Sequence, residues 1–454
     1  MQSPHPSAEV PPRAARLVPQ RWLILSHAFN MDGRAASQTI TDKIPYLVAR
    51  GIEPTVISAV TGMRDRGIPH AQVLPWGPAA LRFDFRHWLA NRCGRGAVYR
   101  VLTTLVTLVL APFIIVERLA LGLSSQWSWA VPVALRGRRM VKAGAVDLVY
   151  STGGEWSAHL AGWWIKKTTG VPWIAEIHDP LVSPDDAGEP REAAMKAWLE
   201  RKICADADLV WWFTDNALAR ARERNPQLGE RGFAVLAGAA GPAVKATHSY
   251  GDTLTIGHFG SLMSRRSLAP FLEALADFCA QNAQARARIR VHVYGSALDA
   301  EAARTAKARD IEDMIVAHGR IEKDPVSGRS GRDQILIHMQ TSDVLLLLHG
   351  SGPECAEYIP SKLFEYLWAR RPVFALTADN PQLDALIRER GGYCSHTLDR
   401  ATTVANLARL WQDWQKRALA DGKAAPVGVE ETVATIFGQV ERVCARRARA
   451  PEAT

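Results

Sequence analysis

The sequence predicts an α/β protein built from two Rossmann-like domains that face each other across a cleft. Its 454 residues exceed what one typical hydrophobic core holds, so two domains are expected. In both halves, short apolar runs typical of buried strands alternate with stretches of helical periodicity, which is the pattern of a parallel sheet with crossover helices. A run of small residues at 237–247 separates the halves and is typical of a flexible linker.

These patterns give the following predicted boundaries. Residues 1–18 are polar and proline-rich and are expected to be disordered. The ordered part is then divided into an N-terminal domain (19–240) with an apolar helical insertion (99–140), a C-terminal domain (252–400) and closing helices (401–450).

The first half opens as a Rossmann-like β-loop-α-β unit. A strand at 21–26 is followed by a loop, a helix at 34–50 that Asp32 or Gly33 can start, and a strand at 54–58. The loop lacks the GxGxxG fingerprint, so dinucleotide binding is not supported. Further strands of this half are predicted at 146–150, 173–177 and 209–213.

The second half repeats the alternation. Its predicted strands lie at 254–260, 290–295, 342–349 and 371–376. Helices at 402–417 and 429–446 complete the chain.

The composition is that of an ordinary globular protein of the cell interior. Apolar residues make up 47% and charged residues 22%, which excludes a disordered chain. The six cysteines are scattered without CxxC or zinc spacing, which favours a reducing compartment and argues against a metal site. The N-terminus has no hydrophobic signal core, so we expect a cytoplasmic location.

The net charge of +9 suits either nucleic acid or an anionic membrane, and its distribution favours the membrane. Residues 101–116 and 119–135 carry no charge apart from the pair between them, and basic residues flank both ends. Sixteen residues are fewer than the ~20 of a spanning helix, so we expect an interfacial helix or shallow hairpin on the inner face of the cell membrane. The alternatives are core helices of the first domain or, least favoured, a transmembrane pair.

Two glutamates, Glu357 and Glu365, stand eight positions apart across the predicted start of an amphipathic helix. Pro360 is tolerated in a first turn, and behind it follow at helical spacing Leu363, Leu367 and Arg370. Free backbone N–H groups in the preceding loop and first turn suit a diphosphate, and Lys362 is placed to face it. A nucleotide-sugar site is therefore predicted, the alternative for the bare motif being a solvated helix face.

This context resembles the retaining family 4 glycosyltransferases of GT-B fold, of the bacterial polysaccharide-assembly type. The resemblance covers most of the chain and is strongest from Thr253 to Leu376. It rests on the glutamate motif, a strand ending at Gly260 with Arg265 and Arg266 in the next turn, and the segment 315–321. It implies a donor-binding C-terminal domain, an acceptor-binding N-terminal domain and a last helix that packs back on the first domain.

The resemblance also implies roles for individual residues. Catalytic roles fall to Glu357 at the sugar, His178 orienting the sugar and Arg265 at the departing diphosphate. The residues expected to bind the donor are Arg266, Lys362, Glu365 (at the ribose), Gly260, Arg320, Ile321 and Ser361. The residues assigned to the acceptor or to the first loop are Gly33, Arg34 and Asp179.

No metal and no cofactor is expected. Asp206 and Asp208 form an Asp-x-Asp pair, but they lie at a helix end and a strand start and are rejected as a metal motif. Basic side chains and helix N-termini are expected to take the place of a metal.

The expected function is transfer of a sugar from a nucleoside-diphosphate donor to a hydroxyl of a lipid-linked, for example polyprenyl-linked, glycan with retention of configuration. The partners are then the nucleotide sugar, the lipid-linked acceptor and an anionic membrane surface, without nucleic acid. Two alternatives stay open, a nucleotide-sugar 2-epimerase of the same fold and a non-catalytic partner in polysaccharide assembly. The sugar, the base, the acceptor and the choice between Arg265 and Arg266 are not fixed by the sequence.

Overall fold

The computed structural model describes residues 20–31, 34–124, 126–182, 189–322, 324, 326–420 and 426–449. The predicted N-terminal disorder (1–18) lies outside these residues. The described chain folds into two α/β domains, each around a parallel sheet, which confirms the predicted fold class. The strands are β1 (Arg21–Leu25), β2 (Glu53–Ser58), β3 (His70–Gln72), β4 (Leu148–Gly153), β5 (Trp173–Ile177), β6 (Leu209–Trp212), β7 (Gly232–Ala234), β8 (Leu254–Gly260), β9 (Ile289–Gly295), β10 (Ile315–Gly319), β11 (Val344–Leu348), β12 (Val373–Thr377) and β13 (Tyr393–His396).

Helices cover both faces of the sheets. They are α1 (Ala35–Thr41), α2 (Ile44–Ala49), α3 (Pro78–Cys93), α4 (Ala97–Leu121), α5 (Ala130–Lys142), α6 (Ser157–Thr169), α7 (Pro190–Asp206), α8 (Asp215–Arg224), α9 (Ala269–Ala280), α10 (Ala283–Arg288), α11 (Ala300–Ala308), α12 (Gly331–Thr341), α13 (Lys362–Ala369), α14 (Pro381–Arg388), α15 (Arg400–Gln415) and α16 (Val429–Arg449).

The strand order is β3-β2-β1-β4-β5-β6-β7 in the first sheet and β10-β9-β8-β11-β12-β13 in the second. In each sheet the order reverses beside the first strand of the domain, which is where open α/β sheets bind ligands beyond their carboxyl ends. The predicted strands are all present. Strands β3, β7, β10 and β13 were not predicted. Of these, β3, β7 and β13 have three or four residues, which carry too little alternation to be recognised.

The predicted helix at 34–50 is broken into α1 and α2. Pro45 occupies the first turn of α2, where it has no N–H to donate to the carbonyl of Thr41. The break places Asp42 and Lys43 between the two helices, facing the middle of the molecule.

The two apolar runs of the insertion differ in packing and exposure. Helix α4, which contains the first run, pairs with α3 as a helical hairpin, and Ile114 is its one buried residue among those described. The core-helix alternative is therefore wrong for this run. The outward side of α4 is largely apolar, and Arg100 and Arg118 near its ends are exposed as well. Its exposed large apolar side chains are those of Val98, Val101, Leu102, Leu105, Leu108, Val109, Phe113, Ile115, Val116, Leu119 and Leu121.

Residues 119–121 of the second run end α4, whereas the part from Trp127 onward packs in the core of the first domain, so the prediction of an interfacial position is wrong for that part. Trp129 and Val133 are fully buried in the first domain. Gly137 allows Ile165 of α6 to approach so closely that a Cβ built there would lie 2.5 Å from its Cδ1. The second run therefore supports the sheet rather than completing a hairpin with the first.

The closing helices divide between the domains. Helix α15 packs on α9 of the second domain, whereas Val433, Ile436 and Val440 of α16 join the core around Trp22 of the first. Helix α16 thus packs on the first domain and α15 on the second. Near the linker, Trp368 Nε1 donates to the carbonyl of Ala239 at 2.7 Å, which ties the linker to α13.

Candidate active site between the two sheets

The carboxyl ends of the two sheets face each other, and the predicted site residues follow these strand ends. In the first domain, His178 and Asp179 come directly after β5. In the second, Arg265 and Arg266 follow β8, and the glutamate motif follows β11. The parallel topology thus gathers side chains from distant parts of the sequence.

The glutamate motif differs in detail from its prediction. Glu357 ends a short 3-10 turn, Pro353–Glu357, where a loop was expected. Helix α13 begins at Lys362, after Pro360 rather than around it, and Arg370 ends the helix in a left-handed conformation (φ 54°) instead of continuing it. Within the helix, Lys362 forms an ion pair with Glu365.

One cavity between the domains, the arginine cavity, has a volume of about 350 Å³. Both Arg265 and Arg266 line it. The remaining lining residues are Asp179, Pro180, Val182, Met263, His349, Gly350, Glu354, Glu357 and Tyr358. Both arginines, Glu357 and Asp179 therefore border one space.

Glu357 lies where the two domains meet. The backbone carbonyl of Glu357 accepts a hydrogen bond from Thr214 Oγ1 of the first domain at 2.7 Å. Partial burial raises the pKa of Glu357, while the charges of Arg224 and Arg220 on α8 act in the opposite direction. Its Oε2 is buried and has no hydrogen-bond partner among the described residues.

A second cavity, the cleft cavity, has a volume of about 550 Å³ and is lined by both domains. Five predicted donor-binding residues line it from the second domain, namely Gly260, Arg320, Ile321, Lys362 and Glu365. Ser361, by contrast, is exposed at the start of α13 and is not among the lining residues. Arg34 lines the cavity from the first domain, and Gly33 lies outside the described residues.

His178 lines neither of these two cavities. Its Nε2 lies 2.7 Å from Glu176 Oε1 and 3.1 Å from Thr152 Oγ1, and its ring packs on Phe213. The structure thus places His178 beside the site with one ring nitrogen directed at a buried carboxylate.

Glu176 is a site residue that the sequence reading missed. It is fully buried and accepts hydrogen bonds from Lys43 (2.6 Å), Tyr150 (2.6 Å) and Trp211 (3.0 Å) besides those from Thr152 and His178. Burial alone would raise its pKa, but the charge of Lys43 and the hydrogen bonds from His178 and Lys43 lower it below the ordinary value. A single charged residue inside the apolar strand Trp173–Ile177 was the signal that could have revealed it.

Other residues join the domains or line the cleft without having been predicted. Asp42 at the α1–α2 break lies 3.5 Å from Arg332 of α12, across the domain boundary. From α3 and the turn after it, the cleft cavity is lined by His87, Ala90, Asn91 and Arg95. These contacts depend on chain segments far apart in sequence, which no local motif reports.

Asp206 and Asp208 lie at the opposite edge of the first sheet, where β6 begins. Asp206 accepts hydrogen bonds from Trp163 and Lys167, each at 2.9 Å, and Asp208 accepts them from Lys166 and the Trp173 amide. Both aspartates serve the packing of α6, far from the carboxyl ends of the strands.

Comparison with known proteins agrees with this architecture. Residues 37–231 match the family model described as a glycosyl transferase 4-like domain. No curated protein matches the sequence.

Several solved structures share the fold. The α,α-trehalose 6-phosphate synthase of Burkholderia multivorans has a TM-score of 0.59 at 12% identity, over 96% of this chain and 100% of that one. The lipopolysaccharide outer core galactosyltransferase WaaB gives 0.54 at 11%, over 92% and 100%. A protein from Listeria monocytogenes named for UDP-N-acetylglucosamine 2-epimerase gives 0.54 at 10%, over 94% and 97%. The chain therefore has a glycosyltransferase-like GT-B fold, as the sequence predicted.

Proposed function

We propose that this protein transfers a sugar from a nucleoside-diphosphate sugar to a hydroxyl group of a lipid-linked glycan, with retention of anomeric configuration and without a metal ion. The observation that carries the proposal is the shared lining of the cleft cavity. Donor-type residues from the second domain and polar residues from α3 enclose one space at the carboxyl ends of both sheets. The names of the similar structures, which include a galactosyltransferase and a UDP-forming trehalose-phosphate synthase, support a nucleotide-sugar donor.

The donor would lie along the second domain. Glu365, which is buried apart from 8% of its surface, would accept hydrogen bonds from the ribose hydroxyls. Lys362, one helical turn earlier, would face the phosphates, and the backbone at Arg320 and Ile321 would hold the base. The ion pair between Lys362 and Glu365 keeps both side chains directed to the same cavity.

The sugar would enter the arginine cavity, where the charges suit bond cleavage. As the bond between C1 of the sugar and the phosphate oxygen breaks, positive charge develops on the ring and negative charge on the leaving diphosphate. Arg265 and Arg266 would stabilise the diphosphate, and Glu357 would face the sugar. The acceptor oxygen would bond to C1 from the same face, and its proton would pass to the leaving phosphate oxygen.

His178 would act at the edge of this site through its fixed orientation. The hydrogen bond to the ionised Glu176 places the Nε2 proton on that side, which leaves Nδ1 as the other nitrogen to interact. We propose that Glu176 thereby holds His178 in the position from which it orients the transferred sugar.

The outward face of α4 would rest on the inner leaflet of the cell membrane. The helix is long and apolar enough to cross a bilayer by composition. Its packing along α3 favours instead a helix lying in the interface, with its apolar side in the lipid. Arg92, Arg95 and Arg100 at the hairpin tip would contact anionic headgroups.

A donor panel tests the proposal directly. The purified protein is incubated with UDP-, GDP- and ADP-sugars and a polyprenyl-linked acceptor, in the presence and absence of EDTA, with products read by mass spectrometry and the anomeric linkage by NMR. We expect transfer from one donor class, retention, and activity that survives EDTA. Conversion of the donor sugar without acceptor, inversion, or loss of activity that magnesium or manganese restores would each contradict the proposal.

Two matched variants assign the donor residues. Glu365→Gln is expected to raise the donor KM most, because a charge-assisted hydrogen bond to the ribose is weakened. Glu301→Gln, on the exposed first turn of α11 in the same domain, is the control and should behave as the wild type. An unchanged donor KM in Glu365→Gln would remove the ribose assignment.

A further inference from the structure

Helix α3 carries a polar stripe on one side. Asp84, His87 and Asn91 follow at spacings of three and four residues, which places them in one row on a helix. His87 and Asn91 line the cleft cavity, and so does Arg95 in the turn that follows. Asn91 is fixed by a 2.9 Å hydrogen bond to the carbonyl of Thr61. One side of α3 therefore forms part of the first-domain wall of the cavity, beside residues of the loop after β1, of α1 and of the loop after β2.

The inner end of the stripe is uncharged at neutral pH. Asp84 is fully buried, His27 Nε2 lies 3.8 Å from its Oδ1, and neither Asp84 oxygen has a hydrogen-bond partner among the described residues. Burial raises the pKa of Asp84 to about 8 and lowers that of His27 to about 3. The fixed charges of this wall are therefore basic and lie farther out.

Two arginines supply these charges. Arg34 and Arg95 both line the cavity and are exposed. Among the described residues, neither guanidinium has a hydrogen-bond or ion-pair partner. A guanidinium without a protein partner at the mouth of a cavity is suited to a phosphate oxygen, to which it can donate two parallel hydrogen bonds.

The mouth of the cavity and the start of the apolar helix are the same turn. Arg95 stands between Gly94 and Gly96, directly before α4, and Val98 and Val101 on the outward face of α4 follow within two turns. If this face lies in the lipid, Arg95 lies at the level of the headgroups. The phosphate of a lipid-linked glycan lies at that same level, since its chain is in the hydrocarbon and its sugars are in water.

We propose that Arg95 and Arg34 bind the phosphate or diphosphate that joins the acceptor glycan to its lipid, with His87 and Asn91 guiding the glycan along α3 toward the donor. This inference rests on the proposed function and adds where the charge of the acceptor is held. It also gives the α3–α4 hairpin a second role, because α4 would then hold the lipid end of the acceptor next to the mouth of the cleft.

Vesicle binding tests the anion site without requiring turnover. Phosphatidylcholine vesicles that contain a polyprenyl diphosphate are compared with vesicles of equal surface charge that contain phosphatidylserine. We expect the wild type to prefer the diphosphate vesicles about tenfold, and Arg95→Gln and Arg34→Gln each to lose most of this preference. Arg92→Gln is the matched control, since Arg92 lies in the same tip but stacks on Trp88 at 4.4 Å and does not line the cavity.

The outcomes distinguish a lipid-borne diphosphate site from general attraction to anionic lipid and from a site for a soluble anion. Equal loss of the preference for diphosphate vesicles in Arg92→Gln and Arg95→Gln, or no such preference in the wild type, would overturn the site and leave general attraction to anionic lipid. In a parallel arm, inorganic diphosphate is titrated in solution. Binding that depends on Arg95 but is as tight for inorganic diphosphate as for the vesicles would assign the site to a soluble anion and overturn the lipid-borne assignment.

Kinetics separate this inference from the proposed function. With a working donor, Arg95→Gln should raise the acceptor KM about tenfold while kcat and donor KM stay unchanged. A raised donor KM would move Arg95 to the donor and overturn the inference while transfer itself stands. Absence of transfer with every donor would contradict the proposed function, whereas the vesicle comparison would still decide whether the diphosphate site exists.

Discussion

Helices α4 and α5 come from neighbouring apolar runs of one segment, yet the apolar side of α4 is exposed whereas that of α5 is buried. On α4, Val109 and Leu119 are 68% and 75% exposed, whereas on α5 Val133 is fully buried. Both runs are free of charged residues. The difference lies in what each helix packs against, since among the described residues α5 lies on α6 over the first sheet and α4 packs chiefly on α3.

The comparison shows that the burial of an apolar run depends on which other elements are placed to pack against it. Trp129 precedes α5 and donates from Nε1 to the carbonyl of Val73 at 3.2 Å, which anchors the start of that helix to the domain. Helix α4 is anchored on its polar side instead, where Glu117 accepts hydrogen bonds from the Ala79 amide and Trp127 Nε1, each at 2.9 Å. Anchoring its polar side leaves the apolar side outward.

The largest effect is expected from a charge in the buried run. Val133→Asp places a carboxylate in a fully buried position and should destabilise the protein by more than about 4 kcal/mol or prevent folding. Val109→Asp is the matched change on α4 and should alter the free energy of unfolding by less than about 1 kcal/mol. Urea unfolding followed by tryptophan fluorescence measures both. Similar destabilisation by the two changes would show that α4 is also part of the core in solution.

Helix α3, which precedes the exposed run and packs on it, offers the next largest effect. Asp84 on α3 has its pKa raised to about 8 by burial, so between about pH 4 and 8 the folded state holds a proton that the unfolded state releases. A raised carboxyl pKa lowers stability as pH rises through this window, by about 1.4 kcal/mol for each pH unit. Asp84→Asn removes this cost and should therefore stabilise the protein, more at pH 7.5 than at pH 5.

Thermal unfolding at both pH values checks this prediction, with Asp252→Asn, an exposed aspartate before β8, as the control. A stabilisation independent of pH would mean that Asp84 is ionised in the folded protein. A loss of stability would mean that Asp84 has a partner that asparagine does not replace.

The strands and the glutamate motif were predictable because their signals are local. Continuous apolar runs such as Val344–Leu348 identify buried strands without reference to the rest of the chain. Glu357, Lys362 and Glu365 are close in sequence and therefore stay close in space. The helix bounds were less certain, since Pro360 is compatible with a first turn and with the residue before it.

The remaining site residues depend on contacts over long sequence separations. Glu176 and Lys43 form their buried ion pair across 133 positions, and Asp42 meets Arg332 across the domain boundary. Arg95 belongs to no sequence motif, and only the turn after α3 shows that it lies at the cleft. The direction of α4 likewise follows from packing, which a hydropathy pattern does not contain.

Membrane attachment should depend on the exposed run and not on the buried one. Leu108→Asp on the outward face of α4 removes apolar burial worth about 2 kcal/mol and adds a charge that anionic lipid repels. We expect co-sedimentation with phosphatidylserine vesicles to fall at least about thirtyfold, with folding intact by circular dichroism. Thr104→Asp, one turn earlier on the same face, adds the same charge but removes much less apolar area and should have a smaller effect. Unchanged sedimentation of Leu108→Asp would separate α4 from the membrane.

The smallest effect concerns the basic residues that flank the two runs. Arg92 and Arg100 lie at the tip of the α3–α4 hairpin, and Arg136 and Arg139 are exposed on α5. A basic residue close to an anionic surface contributes about 1 kcal/mol, and the attraction decays over a Debye length of ~8 Å at physiological ionic strength. If the hairpin is the surface that meets the lipid, replacing Arg92 and Arg100 with glutamine should weaken binding to anionic vesicles by about tenfold. The same replacement of Arg136 and Arg139 removes equal charge from the helix that packs on the sheet and should weaken binding less than threefold. Equal losses from the two pairs would mean that the net charge of the whole protein, rather than the position of α4, holds it at the membrane. Raising the salt concentration should abolish the difference between the pairs while part of the binding persists, because screening acts on the arginines and leaves the apolar contact of α4 in place.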